Sequence, residues 1–225
     1  MTTQQPKYSW WSREQRPYTK GELVVDGIVH VIGLLVALVA GSFLLSYAIM
    51  ETAPEAAPAL TVYLGSFVAL FVISMAYNLW PVSPIKMHLA RLDQAAIFLF
   101  IAGTYTPFLT VIGDTPAGMI MTSFVWGASL IGVALKLIVP ERFGRLALYL
   151  AIGWSGLLVF QSLAKTLPDS TLMLILAGGV TYSLGIFFHL WEKLHFQNAL
   201  WHIFVVCGAS LHLWAVIDCM VIHRL

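Results

Sequence analysis

Asn198 and His202 stand four residues apart in Asn198-Ala-Leu-Trp-His202, at the start of the last long apolar stretch. That spacing stacks both side chains on one face of a helix. In hydrocarbon an unpartnered amide or imidazole costs kcal/mol, so these groups must face a protein interior or a wet cavity. Other residues of similar chemistry recur along the chain: His30, Ser74, Asn78, Asp93 and Gln94. An imidazole beside a carboxylate can bind a metal ion, and a carboxylate near a metal-bound water can act as a general base in hydrolysis.

The elements that must position these groups are membrane helices. Of the 225 residues, 59% are hydrophobic and 10% charged, and the formal net charge is +1. A mean hydropathy of +0.83 is far above that of a chain with a solvated surface. The expected fold is all-α, a seven-transmembrane helix bundle, with a tail over residues 1–22 and a membrane domain over residues 23–225. Apolar runs fall at about Leu23–Met50, Ala59–Trp80, from after Arg91 to Ile112, from the turn at Gly113, Asp114 and Pro116 to Val139, Phe143–Leu163, Thr171–Trp191 and Ala199–Ile222. Each is long enough to cross roughly 30 Å of hydrocarbon as a helix. Barrel strands would instead show short alternating segments. The first run is too long for a cleaved signal and lacks a small-residue cleavage pattern.

Basic residues set the expected orientation. With the N-terminus cytoplasmic, Lys7, Arg13, Arg16, Lys20, Lys86, Arg91, Lys136, Arg142, Arg145 and Lys193 lie inside. Only Lys165 and Arg224 lie outside, so the C-terminus is external. The direction of each span then gives depth. His30, Ser74, Asn78, Asp93, Gln94, Asn198 and His202 share one layer near the cytoplasmic boundary. Simpler readings exist for each: Asp93 as a carboxylate at a helix start, Asn78 as a partner for frayed carbonyls, Ser74 as a packing residue, His30 as a structural imidazole. His212 is about 15 Å deeper than His202, turned around the helix, and is expected to bond a serine or threonine on another helix. Asp218, Glu51, Glu55, Asp114 and His223 read as solvated or interfacial. Cys207 and Cys219, about 18 Å apart along one helix, cannot form a disulfide. Pro107 is expected to kink the third span. Phosphate loops, nucleophile elbows and basic surfaces spaced for nucleic acid are not found, so no nucleic acid is expected.

Four stretches, Ser74-Met-Ala-Tyr-Asn78, Arg91-Leu-Asp93-Gln-Ala-Ala-Ile, Ile101-Ala-Gly-Thr-Tyr-Thr-Pro-Phe108 and Asn198-Ala-Leu-Trp-His202, resemble in order and spacing the bacterial hemolysin III family. Asp26-Gly-Ile-Val-His30 extends the resemblance to the first span. That family belongs with the adiponectin and progestin receptors and, more distantly, the alkaline ceramidases. The resemblance implies seven helices, a cytoplasmic N-terminus and the bacterial inner membrane. It also implies a zinc position: the receptor ligands fall on Asn78, Asn198 and His202, with Asp93 reaching the ion through water. Two of these are amides, which are weak zinc ligands beside imidazole or thiolate. The preferred expectation is a metal-free cluster in which Asn78 and Asn198 hydrogen-bond His202 and Asp93. In the alternative, His30, His202 and Asp93 make a three-ligand zinc site with an open position, and Ser74 orients a substrate carbonyl.

Three functions compete. The first is a membrane-homeostasis regulator or sensor with a degenerate metal site near the inner leaflet, its partners being membrane lipids. The second, implied by the ceramidase kinship, is a metal-dependent lipid amide or ester hydrolase with Asp93 and Ser74 as catalytic residues. The third, implied by the family name, is a pore-forming or lytic protein, for which no helix shows a continuous polar face.

Overall fold

The structure, a computed structural model, describes residues 18–47, 49–50, 56–138, 145–191 and 193–223. Lys7, Arg13, Arg16, Arg142 and Arg224, which bear on the orientation, and Glu51 and Glu55, expected to be solvated or interfacial, lie outside them. The described residues are helical, with no strand among them, and seven helical segments are long and apolar enough to cross a membrane. They are α1 (Lys20–Tyr47), α2 (Ala57–Leu79), α3 (Pro84–Val111), α4 (Pro116–Ile138), a broken fifth span, α7 (Asp169–Leu190) and α8 (Gln197–Ile217). The fifth comprises α5 (Arg145–Gly153), a 3-10 segment Ser155–Val159 and α6 (Phe160–Thr166). A π-helical turn, Asp218–Ile222, extends α8.

Local chemistry sets the ends. At the start of α1, the Glu22 amide donates to Thr19 Oγ1 at 3.2 Å while Glu22 Oε2 accepts from the Thr19 amide at 2.9 Å. This reciprocal capping box begins the helix at Lys20 and takes in Glu22, a residue the sequence places in the tail. Pro81 lies just beyond the end of α2, and Ser83 caps α3 with Pro84 in its first turn. Lys86 reaches back to the last carbonyls of α2, donating to Trp80 O at 2.8 Å and Asn78 O at 3.3 Å. Because α3 starts at Pro84, Asp93 sits inside a helix and not at its first turn. The helix continues through Pro107 to Val111.

Neighbours in sequence pack as neighbours in space: α1 with α2, α2 with α3, α3 with α4, and α7 with α8. Contacts between α1 and α8 join the first and last spans. The inward stripe of α1 is Glu22, Asp26, Val29, His30, Gly33, Ala37, Gly41 and Leu44, in steps of three or four apart from the adjacent Val29 and His30. Its other faces carry lipid-facing Val24, Ile28, Leu35 and Val39. Lipid is as apolar as leucine, so close packing and hydrogen bonds must supply the association between helices. Aromatic rings fill the centre: Phe67 lies 5.2 Å from Phe100 and 5.5 Å from Phe71, and Phe71 meets the edge of His30 at 6.4 Å. Gly33 lets α1 approach there, since a methyl group at that position would overlap the Phe71 ring. Gly33→Ala is therefore expected to cost about 1–3 kcal/mol by overpacking, read from unfolding in mild detergent. No loss of stability would show that Phe71 can move aside freely.

Two expectations need correction. Asp218 is 6% exposed and is not solvated. Its Oδ2 accepts from Thr171 Oγ1 at 2.6 Å and Ser170 Oγ at 2.7 Å, tying α8 to the start of α7. His212 bonds no serine or threonine of another helix: its Nδ1 donates to Gly208 O at 2.9 Å, and its ring stacks on Tyr182. A carbonyl one turn back on the same helix is the nearer acceptor.

Candidate functional site

On α1, Asp26 and His30 lie one turn apart and both are buried. His30 Nδ1 is 2.8 Å from the Asp26 carbonyl oxygen, which can only accept, so Nδ1 carries the proton. In neutral His30, Nε2 is then an acceptor, and Ser74 Oγ on α2 donates to it at 3.2 Å. One turn further along α2, Asn78 Nδ2 donates to Ser74 O at 2.9 Å and to Ser74 Oγ at 3.3 Å. Asn78 Oδ1 in turn accepts from Asn198 Nδ2 of α8 at 2.9 Å. The same Asn198 nitrogen reaches Asp26 Oδ2 at 3.2 Å. These links close a ring: Asp26, Asn198, Asn78, Ser74, His30 and back to Asp26.

His202 joins it from α8, its Nδ1 donating to Asp26 Oδ1 at 2.6 Å. The His30 and His202 rings meet edge to face, with centroids 4.2 Å apart. Asp93, partly buried on α3, also reaches the cluster, its carboxyl interacting with the Ser74 hydroxyl and with His202. Three helices thus close the ring and a fourth touches it.

His30, Ser74, Asn78, Asn198 and His202 are brought together here, but the centre is a residue that the sequence reading did not weigh. Asp26, 3% exposed, holds the hub, accepting from His202 and Asn198, with its own carbonyl serving His30. Its signal was the i, i+4 relation to His30 inside an apolar helix, with Glu22 a further turn before. The two asparagines bond each other, Ser74 and Asp26, and not His202 and Asp93 as the sequence suggested, because Asp26 of α1 stands between Asn198 and His202. Gln94 contributes its backbone carbonyl to Tyr149, 2.9 Å away, and not its side chain to the ring.

Among the described residues, Asp26, His30 and His202 form a group that could hold a metal ion, their ligand atoms lying within 4.8 Å of one another. As arranged, His30 directs no lone pair at an ion. Both nitrogens of His30 are engaged, Nδ1 by a carbonyl and Nε2 by Ser74. The amide oxygen of Asn78 is taken by Asn198. A zinc site normally draws three or four lone pairs from protein ligands, with imidazole and thiolate preferred over amide oxygen.

Seven apolar spans around a buried polar cluster define a multi-pass membrane protein. Residues 20–213 match the model of the family described as haemolysin-III related. Over 198 residues the chain is 32% identical to hemolysin-3 of Bacillus cereus, covering 87% of this chain and 90% of the relative. A hemolysin-3 homolog of Bacillus subtilis is 30% identical, covering 89% and 95% respectively. The human monocyte to macrophage differentiation factor is 31% identical over 158 residues, 66% of this chain and 64% of that protein. The chain belongs to the haemolysin III family. The bacterial cell membrane fits the Bacillus relatives.

Proposed function

We propose that this haemolysin III protein is a regulator or sensor of membrane state whose working part is the metal-free hydrogen-bonded ring around Asp26. The observation that carries the reading is the closure of that ring across α1, α2 and α8. Its bonds span 2.6–3.3 Å, so small changes in helix tilt break some and spare others. Bilayer thickness acts on tilt, because a span longer or shorter than the hydrocarbon must lean or distort the lipid. Membrane lipids are then the effectors, and the ring is the element with two arrangements that they bias.

Spin-label distances between the ends of α2 and α8 test this in short-chain and long-chain phosphatidylcholine bilayers. The separation is expected to change with thickness in the parent and to lose that response in Asn198→Ala. A separation that ignores thickness removes the sensor reading. Metal content tests the other half. Purified parent is expected to hold no stoichiometric zinc, whereas Asn78→His with Asn198→His restores imidazoles and gains about one zinc per chain. Stoichiometric zinc in the parent overturns the metal-free reading.

A second reading, hydrolysis of a lipid amide or ester, draws on Asp26, His30 and His202 lying close together and on Asp93 facing Ser74. Incubation with ceramides and phospholipids decides it. Product that disappears in Asp93→Ala supports an enzyme, and no product from any lipid removes that reading.

A further inference from the structure

A narrow crevice runs from the end of the bundle where α1 begins down to the ring. It is lined by Tyr18, Glu22, Leu23, Asp26, Phe196 and Asn198, with Ala199 at its side. Its volume of about 10 Å³ is the space of a single water, so nothing larger passes in this conformation. Two features hold its rim. Glu22, 4% exposed, accepts from Thr19 through Oε2 and from the Phe196 amide through Oε1 at 3.2 Å. One carboxylate therefore ties the cap of α1 to the residue that opens α8. Phe196 is also the only non-glycine residue with positive φ among the described residues, at φ 57° and ψ 22°. The left-handed region disfavours a phenylalanine, so the bond to Glu22 helps hold a conformation the residue would otherwise leave. Two residues on is Asn198, a member of the ring.

We propose that Glu22 and Phe196 form a latch that gates access to the Asp26 ring from this end of the bundle. Release of the Phe196 amide lets the chain before α8 relax and carries its ring off the crevice. The lining has two carboxylates and an amide but no basic side chain, so the opened path admits water and small cations in preference to anions. The latch matters to function only if the ring is the working site, as argued above. Its test reads accessibility alone, so a failed latch and a failed sensor give different results.

The test places a reporter thiol at Ala199→Cys after the native cysteines, exposed Cys207 and buried Cys219, are changed to serine. In proteoliposomes the thiol is titrated with a methanethiosulfonate carrying an ammonium group and with one carrying a sulfonate. Slow modification is expected in the parent, rising at least about tenfold in Glu22→Gln and in Phe196→Gly, with the ammonium reagent faster than the sulfonate. Glycine removes the aromatic ring yet keeps the left-handed backbone without strain, so Phe196→Gly tests occlusion with the fold intact. Glutamine keeps the size of Glu22 but turns an N–H₂ toward one set of its donors, testing the tie. Monodisperse elution of each variant confirms folding. Fast labelling of the parent, or no acceleration in Glu22→Gln, overturns the latch. Equal rates for the two reagents overturn the preference for cations.

Discussion

Asp26→Ala is expected to destabilise the protein by about 3–5 kcal/mol, the scale for removing one partner of a buried pair and stranding the others. Single interhelical hydrogen bonds in membranes average only about 0.6 kcal/mol, so an ordinary polar residue would give a much smaller effect. Asp26 differs because its carboxylate accepts from both His202 and Asn198, so its loss strands two donors at once. Asp26→Asn keeps one accepting oxygen and should lose only about 1–2 kcal/mol. Equilibrium unfolding in bicelles measures both. If Asp26→Ala unfolds within about 0.5 kcal/mol of the parent, the ring does not hold α1 to α8.

The second large effect lies far from the ring. Between α5 and the 3-10 segment the fifth span interrupts its backbone ladder, and Tyr105 of α3 repairs the gap. Its hydroxyl donates to Gly153 O at 2.6 Å and accepts from the Gly156 amide at 2.8 Å. Tyr105→Phe leaves a carbonyl and an N–H unmatched inside hydrocarbon, with an expected cost of about 2–4 kcal/mol. Amide exchange around residues 153–156 should quicken at the same time. Unchanged exchange would mean that the break satisfies itself by local winding.

The seven spans were legible because hydrocarbon demands about 20 apolar residues per crossing, and no other folded arrangement reads that way. The cluster was legible in part: depth along antiparallel helices brings Ser74, Asn78, Asn198 and His202 to one layer without knowledge of packing. Rotation about each helix axis was not, and rotation made Asp26 the hub and placed Asp93 to one side. The broken span was hidden for a different reason. Gly153-Trp-Ser-Gly156 inside an apolar run is compatible with close helix packing, and its partner Tyr105 lies 48 residues earlier. Asp218 looked solvated because it is charged and near a terminus, while its neutralising hydroxyls, Ser170 and Thr171, come from another span.

The order of synthesis gives the ring a further consequence. Asp26 enters the bilayer with the first helix, and its partners Asn198 and His202 follow 172 and 176 positions later. Until the last helix arrives, the Asp26 carboxylate has only His30 of its own helix beside it, at 3.7 Å. Gly178 beneath His212 and Gly208 beneath Tyr182 interlock α7 with α8. The full set of partners for Asp26 is therefore complete only when the last helix is in place.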